Sequence, residues 1–191
     1  MKKIIIIVAS VLVLAVVGTQ LLCPLWVTGT RAEVNMDKDS GEMSYVFAKA
    51  YVPKNDEVIP PREGEHFISF DGKLPSENPD DYIDINLYFH TQNISLWNDY
   101  KIDATLEDAS KYKENILMII DASNPVTESL FKHEKVDARV NLLVYKNSMT
   151  EDQIKEMIKS IKLKIKYYGK YLGVIEKTIS LDNCTDFKVN K

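Results

Sequence analysis

Chemistry-bearing residues are scarce in this 191-residue chain. Its two cysteines are Cys23, in an N-terminal apolar run, and Cys184, near the C-terminus, which excludes a disulfide framework as the source of stability. Three histidines, His66, His90 and His133, lack the spacing of a zinc site. No GxSxG elbow, phosphate-binding loop or dinucleotide fingerprint occurs. Glycine and proline number seven each and form no low-complexity tract, and no internal repeat is visible. Catalytic residues, a cofactor and a metal are accordingly not expected.

What is present is an ordinary globular composition, 45% hydrophobic and 27% charged, with enough chain for one well-buried domain. Lysine outnumbers arginine 21 to 3 and isoleucine is abundant, a bias that points to an AT-rich bacterial genome.

Residues 4–27 carry no charge, and Lys2 and Lys3 precede them. At ~1.5 Å per residue this run reaches ~36 Å, beyond the ~30 Å hydrocarbon core of a bilayer. Paired lysines favour a cytoplasmic N-terminus, and Trp26 suits the opposite interface. Residues 1–27 are therefore expected to form a single-span membrane anchor, with residues 28–191 as one domain outside the cytoplasm. A cleaved signal peptide, with small residues ending at Gly18, is the alternative. The apolar character that resumes at Leu21, Leu22, Leu25, Trp26 and Val27 speaks against it. A lipoprotein signal needs a small residue where Leu22 precedes Cys23, and a type IV pilin leader needs a glycine before the run and a glutamate at its start.

Beyond the anchor, apolar residues recur at alternate positions, the period of a half-buried strand. In residues 82–90, Ile83, Ile85, Leu87 and Phe89 share one face, and Asp84, Asn86, Tyr88 and His90 the other. In residues 135–145, Val136, Ala138, Val140, Leu142 and Val144 point inward. Weaker strands are expected over 32–36, 42–52, 66–70, 100–107, 115–121 and 126–131, parted by turn residues such as Asp71-Gly72 and Asn78-Pro79. Residues 54–65, with Pro60-Pro61, read as an exposed loop.

The period changes in residues 150–161, where Ile154, Met157, Ile158 and Ile161 fall on one helical stripe. Thr150 and Gln153 match a capping box, and Glu151 and Asp152 suit the positive end of a helix. Alternation then returns. Ile161, Leu163, Ile165 and Tyr167 point one way and Lys162, Lys164 and Lys166 the other, before residues 169–173 turn the chain into a strand over 174–181. The expected fold is all-β, an immunoglobulin-like antiparallel β-sandwich with one short helix.

Residues 37–42, DKDSGE, share the start of a calcium loop, but the twelfth position is Ala48 and a β-turn is expected. The acidic set Glu77, Asp80, Asp81 and Asp84 is expected to be a solvated loop rather than a cation site. Trp97 is expected in the core, and the sequons at Asn93 and Asn183 carry no meaning in a bacterial host. Charge is uneven, with residues 28–149 at net −9 and residues 150–181 at net +3. An acidic domain in this location is not expected to bind nucleic acid. Lysines two apart on a strand stand ~6.8 Å from each other and repel weakly in water, so Lys162, Lys164 and Lys166 are expected to face solvent. Their functional reading is contact with an anionic membrane surface, at ~1 kcal/mol each.

The expected function is a membrane-anchored, non-catalytic binding or scaffolding module of the cell envelope, with another envelope protein as its partner. A secreted, signal-cleaved binding protein or effector is the second reading, and an envelope hydrolase with an unrecognised site the third.

Overall fold

The N-terminal apolar run divides into a helix and a strand. The computed structural model describes residues 2–22, 25–50, 66–67, 73–93, 100–108, 112–122, 126–127, 136–169 and 173–191. Helix α1 (Lys2–Leu22) takes the first part of the run, and strand β1 (Leu25–Asn35) follows three residues on. Pro24 accounts for the break, because proline has no N–H to donate and disfavours helix in the residue before it. The boundary expected at residue 27 falls inside β1, where Trp26 and Val27 pair with Gln92 and Thr91. The side chains of α1 are described as far as Gly18, and among the described residues no helix is long and apolar enough to cross a membrane.

The remainder is largely β, with its strands in two sheets and few helices. A six-stranded sheet is ordered β10 (Asp186–Asn190), β1, β3 (Tyr82–Asn93), β7 (Val136–Tyr145), β5 (Ile116–Ala122) and β2 (His66–Phe67). A four-stranded sheet is ordered β6 (Val126–Thr127), β4 (Tyr100–Asp108), β8 (Lys162–Gly169) and β9 (Gly173–Ser180). Neighbours run antiparallel except β1 and β10, which pair parallel from Arg31 and Asp186 to Asn35 and Asn190. The expectation of a wholly antiparallel arrangement is corrected there: β10 brings only Phe187 and Val189 to the core, too little alternation to announce a strand.

One buried cluster draws on both sheets. Ile83, Ile85, Leu87 and Phe89 come from β3, and Ile102, Leu163, Ile165 and Tyr167 from β4 and β8. Helix α3 links β7 of one sheet to β8 of the other; we label Lys38–Ala50 α2 and Glu151–Ser160 α3. The capping box of α3 is formed, with the Gln153 N–H donating to Thr150 Oγ1 at 3.3 Å and the Thr150 N–H to Gln153 Oε1 at 2.8 Å. Ile154, Met157 and Ile158 are buried against the shared core, as the helical stripe requires.

Helix α2 overturns two expectations, the strand over residues 42–52 and the single short helix. The turn expected at 37–42 is its start: Asp37 Oδ1 accepts from the Ser40 N–H at 2.7 Å and the Asp37 carbonyl from the Gly41 N–H at 3.0 Å. Its inward stripe is Gly41, Ser44, Tyr45 and Ala48, which the sheet covers, while Met43 and Val46 stand exposed. A β-carbon on Gly41 would lie 3.0 Å from the carbonyl oxygen of Pro79, so a larger residue there would require the turn to give by a few tenths of an ångström. Tyr45 and Ala48 pack with Tyr82, Leu117, Leu143 and Tyr145 on the face of the six-stranded sheet opposite the main core.

Candidate functional site

The outward face of β3 beyond α2 carries Asp84, Asn86, Tyr88 and His90, and its neighbours supply partners in register. On β1, Asn35, Glu33 and Arg31 lie beside Asp84, Asn86 and Tyr88. On β7, Asn141, Arg139 and Asp137 lie beside Asn86, Tyr88 and His90. Asp84 Oδ2 accepts from Asn35 Nδ2 at 3.3 Å and from Asn86 Nδ2 at 3.2 Å. Asn35 Oδ1 in turn accepts from Asn190 Nδ2 at 2.6 Å. The Asn141 side chain also hydrogen-bonds Asp84, so one polar network ties together β10, β1, β3 and β7.

Burial pushes the Asp84 carboxyl above the usual carboxylate range, against the opposing pull of the Asn35 and Asn86 amides and the Arg139 charge. Three oxygens of the network, Asp84 Oδ1, Asn86 Oδ1 and Asn141 Oδ1, are buried and accept no hydrogen bond. Asn86 as a whole is only 9% exposed. A buried acceptor without a donor costs about 1–3 kcal/mol, and a proton on Asp84 supplies a donor to a cluster rich in acceptors.

The sign of the resulting pH dependence follows. With its folded-state pKa raised, Asp84 holds a proton where the unfolded chain has lost it. That stabilisation is fully present below the unfolded carboxyl value of ~3.9 and is lost as the pH rises through the folded-state value. Asp84→Asn, which cannot ionise, is expected to melt above the parent near neutral pH, with the gap closing as the pH falls toward ~4. Melting curves across this range check it, and a gap that ignores pH would show that the buried charge is not penalised.

Further along the face, the Arg31 guanidinium lies 4.5 Å from the centre of the Tyr88 ring and 3.3 Å from Glu33 Oε1. His90 Nδ1 pairs with Asp137 Oδ1. This pair resembles half of a hydrolytic triad, but the nearby Thr28 hydroxyl donates to the His90 backbone carbonyl, at 3.5 Å. Among the described residues the face is a polar, hydrogen-bonding surface.

The residues singled out in the sequence are dispersed. Lys162, Lys164 and Lys166 stand on the outer face of the four-stranded sheet, on an inner strand with β4 on one side and β9 on the other. Glu176 on β9 receives two of them, Lys164 Nζ at 2.7 Å and Lys166 Nζ at 3.5 Å. The hydrogen bond from Lys164 lowers the Glu176 pKa, and the reciprocal contact raises that of Lys164. In the acidic set, Asp80 and Asp81 lie in a 3₁₀ turn (Pro79–Asp81), where Asp81 Oδ2 accepts from Ser76 Oγ at 2.6 Å. Asp84 belongs instead to the asparagine network, and among the described residues no group of three or more histidine, cysteine or acidic side chains could hold a metal ion.

Cys184 is buried, with its thiol pushed up chiefly by that burial, and points at the Thr30 carbonyl 3.7 Å away. Asn93 is buried in β3 and Asn183 is exposed. Cys23, Trp97, His133 and the loop over 54–65 lie outside the described residues, and of His66 only the backbone is described. The sequence reading placed Asp84 and Asn86 on the outward face but missed their partners. The available signal was two residues of poor strand propensity at successive outward positions of a central strand.

A groove of about 470 Å³ opens between the first half of β1 and β9. Val27, Thr30, Lys177, Ile179 and Asn183 are among its lining residues. No protein-family model matches this chain, and no curated protein matches it.

Proposed function

We propose that this chain is a non-catalytic binding or scaffolding module of the cell envelope, an immunoglobulin-like sandwich held outside the cytoplasm by α1. The observation that carries the reading is the surface of α1. Its apolar side chains from Ile4 to Val17 stand exposed on every side, from 45% at Val17 to 71% at Leu14, and no other part of the described chain covers them. A helix that is apolar all round needs an apolar surround, and lipid is the one consistent with Lys2 and Lys3 at its start. The described side chains of α1 end at Gly18, so the span is proposed for the helix with Thr19 to Leu22 included, whose 21 residues rise ~32 Å against ~30 Å of hydrocarbon.

The chain crosses between the sheets from β3 to β4, from β4 to β5 and through α3, which supports the sandwich reading. The outward face of the six-stranded sheet, with Arg31, Glu33, Tyr88 and His90 among its donors and acceptors, is the surface offered to another envelope protein. Nothing in the acidic domain favours nucleic acid. Washing native membranes in alkaline carbonate is expected to leave the chain in the pellet, and its release into the supernatant would overturn the reading.

A further inference from the structure

The exposed apolar side chains of the domain are not scattered. Apart from α1, the large hydrophobic residues exposed among the described ones are Trp26, Met43, Val46, Tyr168 and Val174. Met43 and Val46 belong to α2. Tyr168 and Val174 face each other across the β8–β9 hairpin, at 39% and 54% exposure, and Trp26 is 53% exposed at the start of β1.

Topology places these three at one end. Residues 27–30 of β1 and 177–180 of β9 line the same groove, and Cys184, four residues after Ser180, points at the Thr30 carbonyl. From that level both strands lead back toward their own N-termini. Leu25 stands five residues from Thr30, ~17 Å along β1, and Val174 six residues from Ser180, ~20 Å along β9. The short connection from Asn93, which pairs with Leu25, to Tyr100, which pairs with Gly169 of the hairpin, fits the same placement. Leu22 at the end of α1 is three residues from Leu25, within ~11 Å.

We propose that this end of the domain, the β8–β9 hairpin with Tyr168 and Val174 together with Trp26, sits in the headgroup layer of the bilayer that α1 leaves. The inference rests on α1 being membrane-held. Tryptophan and tyrosine rings favour this layer, where an apolar body and a polar tip are both satisfied, and Val174 adds apolar surface beside them. Lys101, exposed and paired in register with Tyr168, stands where a flexible ammonium group meets lipid phosphates. The lysine row then runs away from the membrane. Lys166 is two residues from Tyr168, whereas Lys162 is four residues farther, ~13 Å beyond Lys166 and past a Debye length of ~8–10 Å. The membrane contact considered for Lys162, Lys164 and Lys166 therefore weakens along the row from Lys166 and is lost at Lys162.

The test uses the full chain in vesicles of phosphatidylcholine with a minority of phosphatidylglycerol. A polarity-sensitive fluorophore is attached at Val174→Cys or at Ser180→Cys, each in a Cys23→Ser background; Cys184 is buried and protected in the folded protein. Residues 174 and 180 lie on the same face of one strand, so only distance from the hairpin tip separates them. The expected result is a blue shift and loss of emission to a headgroup-level nitroxide lipid at residue 174, with neither at residue 180. A chain that floats with the vesicles while residue 174 stays unquenched overturns the hairpin contact and leaves the anchor standing. Equal quenching at both positions overturns the upright placement. Failure to float with the vesicles overturns the anchor and this inference with it.

Discussion

Replacing Ile158 with alanine is expected to lower the melting temperature by roughly 5–15 °C, a loss of about 2–5 kcal/mol in a chain of this size. Ile158 is fully buried on α3 and packs into the cluster shared by both sheets, so truncation leaves a cavity that neither sheet is free to close. The placement of α3 raises the stakes. It connects β7 in one sheet to β8 in the other, so loosening its seat loosens the register of the two sheets as well. Thermal unfolding followed by circular dichroism checks the expectation. An unchanged melt would place the Ile154, Met157 and Ile158 stripe on the surface.

Removing residues 186–191 is expected to be as damaging, at ~3 kcal/mol or more. The deletion strips β10 from β1 along five paired positions and uncovers the core beneath Phe187 and Val189. It also takes Asn190 from Asn35, which positions the amide that Asp84 accepts. A truncated chain that melts with the intact one would mean that β10 contributes nothing to the sheet it joins.

These two segments mark what was legible. Helix α3 could be read because cap, charge and apolar stripe all lie within twelve consecutive residues and agree with one another. Strands β3 and β7 were equally plain, each long enough for alternation to declare itself. Strand β10 was not, since its five residues owe their conformation to a parallel partner more than a hundred and fifty positions away. Helix α2 was hidden for a different reason. Its inward stripe is Gly41, Ser44, Tyr45 and Ala48, with no large aliphatic residue and a close approach to the 3₁₀ turn at Gly41, so hydrophobic periodicity pointed the wrong way. The end of α1 was masked by apolar residues that serve the helix before Pro24 and the sheet after it.

The polar site was half legible. Alternation put Asp84 and Asn86 outward, but Asn35, Asn141 and Asn190 come from three other strands, and only register brings them together. The lysine row, conspicuous as a motif, is explained by a neighbour no spacing rule announces, Glu176 across the hairpin. Solvated salt bridges of this kind contribute little to stability. The row does keep the outer face of the four-stranded sheet charged.

The proposed membrane anchoring requires α1 to stay attached to the two-sheet domain in the mature protein. The intact mass of the chain recovered from its native membranes decides this most directly. A mass near the full 21.8 kDa, with residues 1–27 retained, is the expected result. A soluble form beginning near Thr19 would contradict it, because the helix would then be a removed signal and the domain would carry no anchor.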